Sequence, residues 1–449
     1  GELLRATLAF LRLGCKLASR DEIVGVMMPN LSTTVAALIG LGAGRRVPAM
    51  LNYTAGPEAL RSACVATKMK TVITSRKFVE AARLYPVLDA LCEQRILFVE
   101  DLKQQFGLRD KMWLVLWARW RPRSVAEQTD PAATAVVLFT SGSEARPKGV
   151  ALNHDAVLAN IAQMRAVIDF SPADKFLNAL PMFHSYGMTA CTLMPLLCGV
   201  GLYLYTSPLR YRVIQEIAYR RDCTFMFGTS TFLGKYGREA APLDFYSVRN
   251  VISGAEKLNA EVAVLWQEKF GLRILEGYGA TECAPVLALN TPRAYRVHTV
   301  GRFLPGVEHC VVQVEGISRG GCLHVRGPNL MRGYYLYDDP GVLHPPRLEL
   351  LRRVLDRLHQ RSHHLIQPHQ SQSIRGLARC RRQAGERVKR RQQDRPSMTG
   401  AEHVPGTQDR RRHAARAHHR LALRTHVDVC LHHRRRLRDA EIDEVANTR

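Results

Sequence analysis

The sequence predicts an α/β fold in which helices pack on largely parallel sheets. Short apolar runs in EIVGVMMP, KTVITS, RNVISGA and LRILEGYG alternate with stretches of helical character, the rhythm of strand, crossover and strand. The 449 residues are 46% hydrophobic, which allows a large core and two or three domains. A further apolar run, AATAVVLF at 132–139, reads as a buried strand that ends at a loop of small and hydroxylated residues.

In chain order, ELLRATLAFLRLGCKLA at 2–18 reads as a helix already under way at Gly1, so the sequence is expected to be a fragment of a longer product. The stretch KMWLVLWARWRPR at 111–123 combines three tryptophans with several arginines. It suits a membrane surface, or a helix that packs its tryptophans inward, and both readings stand. The loop TSGSEARPKG at 140–149 follows. Its small residues let the backbone approach phosphate oxygens, to which peptide N–H groups and the hydroxyls of Thr140, Ser141 and Ser143 would donate around Gly142. Pro147 stiffens the exit, and Lys148 supplies a compact positive charge. An ordinary Ser/Gly turn would look similar. The other large nucleotide loop, GxxxxGK[ST], is absent. Residues 185–209 carry no charge over 25 positions, long enough on paper to cross a bilayer, but Pro195, Gly199 and Gly201 divide them into a helix and a strand. In FMFGTSTF at 225–232, small and aromatic residues alternate. Phe225, Phe227, Gly228 and Phe232 would line an apolar groove or pack a core.

The formal net charge of +24 is unusual for a small-molecule enzyme and invites anionic lipid or nucleic acid. The eleven cysteines are scattered without CxxC pairs or framework spacing, which points to a reducing cytoplasm.

Five segments in order carry a family resemblance: TSGSEARPKG, PMFHSYG at 181–187, SGAEKL at 253–258, GYGATE at 277–282 and LHVRGPNLMRGYY at 323–335. Together they resemble the adenylate-forming superfamily of acyl-CoA and acyl-carrier-protein synthetases, luciferases and peptide-synthetase adenylation domains. VPAMLNYTAG at 47–56 and Glu144 look most like the acyl-carrier-protein synthetase half of a bacterial lysophospholipid acyltransferase/synthetase. The resemblance implies an N-terminal domain over 1–346, made of two α/β subdomains and a small barrel-like one fed by residues 301–335. It implies ATP and Mg2+ as cofactors, a fatty acid as substrate, and CoA or acyl-carrier protein as thiol acceptor. By resemblance, Lys148 steadies departing pyrophosphate, Thr281 bonds the α-phosphate, Glu282 holds magnesium and His184 gates the carboxylate. Gly254, Ala255 and Glu256 would pass along one side of the adenine, with Gly277, Tyr278 and Gly279 against the other. For Tyr278 the alternative is a tyrosine closing a core, and for His184 a structural role. The expected location is cytoplasmic, with peripheral contact at the cytoplasmic face of the inner membrane.

Two departures limit the match. Ala145 stands where the family usually has glycine, and a positive φ there would cost roughly 1 kcal/mol or more. Beyond Pro346 the pattern stops. Residues 347–449 hold 25 Lys and Arg against 11 Asp and Glu, contain no Phe, Tyr or Trp, and carry 11 of the 17 histidines. Such a segment has little with which to bury a core and is expected to be disordered. The arginine clusters at 410–412 and 434–436 would suit a nucleic-acid arm. The pairs His363 and His364, His418 and His419, and His432 and His433 would suit a metal tract, although their basic surroundings repel cations. A shift of reading frame just after Pro346 is the favoured account. No position matches the family's ribose-binding aspartate, hinge or second lysine, since neither Asp356 nor Lys389 lies in the expected motif. Reading the coding DNA beyond Pro346 in the other two frames is therefore expected to restore a Trp-Tyr-x-Thr-Gly-Asp segment, and its absence from both would overturn the frameshift account.

Overall fold

The computed structural model describes residues 1–346 apart from 103, 119, 142–145 and 315–319. Gly142, Ser143, Ala145 and the Arg/His-rich tail lie outside the described residues.

Two sheets organise the chain. In the first, the strands Val47–Met50, Ile23–Val26, Thr71–Thr74 and Arg95–Phe98 are parallel neighbours in that order, and Thr134–Ser141 joins Val47–Met50 in the same direction. The run expected from 132 starts as a strand at Thr134 and extends through Ser141. It turns back antiparallel into Pro147–Asn153, with Thr140 opposite Lys148. Gly333–Leu336 and Asp339–His344 complete that edge. The second sheet is parallel through Ile274–Gly279, Asn250–Ser253, Phe225–Gly228, Lys175–Asn178 and Gly201–Leu204, with Val286–Leu289 and Arg302–Phe303 added antiparallel. The predicted parallel α/β character therefore holds, and each sheet ends in an antiparallel margin. Of the strands expected for a barrel between 301 and 335, the described residues form one two-stranded ribbon, Glu308–Val312 with Cys322–Arg326. Arg302–Phe303 extends the second sheet and Gly333–Leu336 the first.

Local sequence explains the flanking helices. Glu2–Leu17 is amphipathic and buries Leu8, Phe10, Leu11 and Leu13, the spacing of a helix that covers a core on one face. It crosses Ser32–Ala43 so closely that a β-carbon on Gly40 would meet the Thr7 carbonyl at 2.5 Å. Ala260–Phe270 starts at Asn259, whose side chain accepts from Glu261 N, and stops at Gly271 in the left-handed region, the favoured residues for those two ends. The uncharged stretch at 185–209 is split into Tyr186–Leu193, Met194–Leu197 and the strand Gly201–Leu204. No helix among the described residues is long and apolar enough to cross a membrane.

Buried polar groups tie helices and loops to the sheets. Asp174, at the start of Lys175–Asn178, is buried and accepts from Ser171 N at 2.8 Å, from Thr224 Oγ1 at 2.7 Å and from Arg249. Burial raises its pKa, but these three donors outweigh that and hold the carboxyl below its ordinary value. A depressed folded-state pKa stabilises above the unfolded value of about 4, and the contribution fades as pH falls through the lower, folded one. Asp174→Ala is expected to cost about 2 kcal/mol near neutrality and to flatten the acid limb of stability, as checked by urea unfolding at pH 7 and below pH 4.

Candidate active site

A cavity of about 1340 Å³ lies where the two sheets face each other. Its wall includes Gly254, Ala255, Gly277, Tyr278 and Gly279 and apolar side chains such as Met164, Ile168, Met194, Phe227 and Phe232. His184, Ser185 and Thr281 also line it.

The strand Ile274–Gly279 leads into a short helical turn, Thr281–Cys283. Glycine is required at 279 because a β-carbon would come within 2.2 Å of the Pro285 carbonyl oxygen. Thr281 Oγ1 accepts a hydrogen bond from Ser185 Oγ at 3.4 Å, which leaves its own hydrogen available to a ligand. Glu282 is buried, and its Oε1 accepts from Tyr334 Oη at 2.8 Å. Burial and the adjacent carboxylate drive the Tyr334 pKa far up, so the phenol stays a donor. The backbone of the turn is held from the same side, with Met331 N donating to the Glu282 carbonyl at 2.8 Å and Asn329 Nδ2 to the Cys283 carbonyl at 2.7 Å.

The loop bearing His184 is fixed from the first sheet. Asn30 Nδ2 donates to the Leu180 carbonyl at 2.6 Å, and Met182 N donates to Asn30 Oδ1 at 3.0 Å. His184 is open to the cavity, yet the surrounding protein desolvates it and lowers its pKa, so the imidazole is neutral at physiological pH. Tyr186 donates to the Ile252 carbonyl at 2.9 Å and lays its ring on the Gly254 side of the wall, 3.3 Å from where a β-carbon would sit. Ala255 adopts φ 68°, a left-handed backbone that strains a residue with a β-carbon.

The expected residues divide in position. His184, Gly254, Ala255, Gly277, Tyr278, Gly279, Thr281, Phe227 and Phe232 share the cavity wall. Among the described side chains, Thr140 and Lys148 are outside that lining and face each other across the hairpin pair Thr134–Ser141 and Pro147–Asn153, whose second strand packs against Thr281–Cys283. Glu282 stands behind Thr281. Three of the expected residues lie away from that wall. Phe225 belongs to the core, stacked on Phe176 at 4.4 Å. Gly228 turns toward Leu233, where a β-carbon would meet its side chain at 2.8 Å. Glu256 points away, accepting from Thr231 N, and borders a smaller cleft. Sequence reasoning missed Ser185, Tyr186, Asn30, Asn329 and Tyr334. The first two lie inside PMFHSYG and the last two inside LHVRGPNLMRGYY, so the motifs contained the signal without assigning it.

The molecule is thus a two-sheet α/β body whose cavity wall combines glycines with apolar side chains. The chain belongs to the AMP-binding enzyme family, whose profile matches residues 5–335. It is 27% identical over 369 residues to a long-chain-fatty-acid–CoA ligase of Escherichia coli O157:H7, covering 75% of this chain and 65% of that protein. It is 29% identical over 214 residues to a p-hydroxybenzoic acid–AMP ligase of Mycobacterium marinum, covering 46% of this chain and 30% of that one. The chain thus spans less than two thirds of the length of these curated relatives. In fold it is similar to the N-terminal domain of FACL13 from Mycobacterium tuberculosis, with a TM-score of 0.60 at 18% identity over 74% of this chain and 82% of that one. It is also similar to ATP-bound MatB from Rhodopseudomonas palustris, with a TM-score of 0.62 at 21% identity over 74% and 65%.

Tyr334→Phe removes only the hydroxyl that meets Glu282 and is expected to cost about 1 to 2 kcal/mol, measured as a lower urea midpoint at unchanged slope.

Proposed function

We propose that this chain activates a long-chain fatty acid with MgATP, forming an acyl-adenylate and releasing pyrophosphate, with an activity impaired by the departures from the family pattern at Ala145 and after Pro346. CoA or an acyl-carrier protein is the thiol that takes the acyl group next. The observation that carries this reading is one cavity whose wall holds Gly254, Gly277, Tyr278 and Thr281 together with the apolar side chains of Phe227 and Phe232. The long-chain ligase among the relatives points the same way for the acid. The acyl-carrier-protein acceptor rests on the segment at 47–56 and Glu144.

The residues suit MgATP. Ser253 lines the cavity with a fully buried Oγ that has no hydrogen-bond partner among the described residues, a donor placed for a polar ligand group. No cluster of three or more His, Cys, Asp and Glu that could hold a metal occurs among the described residues. Glu282 would be the residue to hold magnesium brought with the triphosphate, a hard ion suited to a carboxylate. When bound, the ion offsets charge on the phosphates. In the first step a carboxylate oxygen of the acid attacks the α-phosphorus. The bond to the bridging oxygen breaks, and pyrophosphate departs with the electron pair. Thr281, its oxygen accepting from Ser185, donates to the α-phosphate, and Lys148 neutralises charge on the leaving group. His184, being neutral, admits the fatty carboxylate as a hydrogen-bonding gate. In the second step the thiol sulfur attacks the acyl carbonyl and AMP leaves.

A second reading is a binding protein without turnover, favoured by the lack of a matching ribose aspartate, hinge or second lysine in the sequence after Pro346. Fatty-acid-dependent exchange of labelled pyrophosphate into ATP decides between them. Exchange is expected in the native chain, with Thr281→Ala slower by about 10²-fold and Glu282→Gln lower still. No exchange at high protein concentration, together with retained ATP binding by calorimetry, would establish the binding protein instead.

A further inference from the structure

The segment Leu108–Trp113, continued by Leu114–Ala118, has two unlike faces. Its inner face is anchored: Asp110 is buried and accepts from Arg12 Nε at 3.0 Å and from Lys16, Ala118 is buried, and Arg12 lies over the Trp113 ring at 5.2 Å. Its outer face is apolar and uncovered. Leu108 is 74% exposed, Met112 48%, Val115 54% and Leu116 71%, recurring at one-turn and two-turn spacing, and Trp120 just beyond is 76% exposed. The two readings of 111–123 are thus resolved residue by residue, with Trp113 turned to the protein and Trp120 to solvent. The side chain of Trp117 lies outside the described residues.

We infer that this face is a docking surface for an anionic lipid bilayer. Exposed apolar patches of this kind mark interaction sites, and charge selects the occupant. Arg109, Lys111 and Arg123 are exposed beside the apolar row. The only acidic residue from 107 to 123 is Asp110, which is buried and already paired. The described residues of this segment therefore present cations and hydrocarbon, with their one carboxylate buried. A second copy docked through the same face would bring like charges together. A sheet of anionic headgroups over hydrocarbon complements both features, and an aromatic residue at the rim suits the interfacial layer. The location also serves the substrate. Val99, a cavity-lining residue, begins the short helix Val99–Leu102 that leads into this segment. This link to substrate rests on the fatty-acid reading: a long-chain acid partitions into membranes, so a ligase seated on one meets its substrate there.

The test uses the full chain and vesicles of mixed phosphatidylglycerol and phosphatidylcholine brominated along their acyl chains. Trp266 is fully buried, so lipid bromine quenches only tryptophans of the 113–120 segment. Quenching is expected in the native chain. Leu108→Ser/Val115→Ser/Leu116→Ser keeps all four tryptophans, changes only exposed positions and should retain its unfolding midpoint. It is expected to bind these vesicles at least about ten-fold more weakly, with Leu116→Ser alone as the milder variant. Three results would overturn the inference: vesicle adhesion without quenching, which assigns binding to the arginine-rich residues after Pro346; a triple variant that binds and is quenched like the native chain; or no vesicle binding together with a dimer by light scattering that the triple variant abolishes. Vesicle binding needs no turnover, so its failure and the failure of the ligase reading are separately visible.

Discussion

The hydrogen bond from Tyr334 to Glu282 is the contact on which the site depends. Tyr334 sits on the penultimate strand of the first sheet, and Glu282 follows the strand of the second sheet that carries GYG. One bond therefore spans the seam at the point where chemistry would occur. Without a donor, a buried carboxylate is costly. With it, the turn at 281–283 is set in register with the strand that bears Lys148, and the carbonyls of Glu282 and Cys283 are met by Met331 and Asn329. The segment that looks like a remote afterthought in the sequence is the brace for the acidic residue.

The same logic repeats at the other contacts between the sheets. Asn30 grips both a carbonyl and an amide of the loop before His184. Asn160, on the helix after the hairpin that ends at Asn153, does the same to Val286, donating to its carbonyl at 2.7 Å and accepting from its amide at 3.1 Å. Two asparagines and a tyrosine thus supply direction where apolar packing alone would let the sheets slide. Hydrophobic burial brings the halves together, and these polar pairs define their alignment.

The fold class was legible because strand and helix periodicities alternate plainly, and the site because GYGATE and SGAEKL crowd small residues against a strand end. What escaped did so for physical reasons. Phe225 and Phe227 share a strand and a face, but only depth along the strand separates the stacked core position of Phe225 from the cavity wall. That depth depends on Phe176, a partner 49 positions away on a neighbouring strand. Tyr334 was invisible as a partner of Glu282 because 52 residues separate them. Gly333–Leu336 was expected in a barrel, yet it pairs with Pro147–Asn153 on one side and Asp339–His344 on the other, within the first sheet. Local pattern specifies elements, whereas partners at long range specify which faces become walls.

A cavity built from both sheets has a thermodynamic corollary. Whatever fills it contacts both halves at once, so its binding free energy adds directly to the cohesion of the folded chain, growing with the logarithm of ligand concentration. The ligand-free protein is then its own most fragile form. In a cell short of ligand, the fraction of molecules transiently open would rise, and proteolysis would draw first on that fraction. The seam that assembles the site also makes the lifetime of the protein depend on the supply of what it binds.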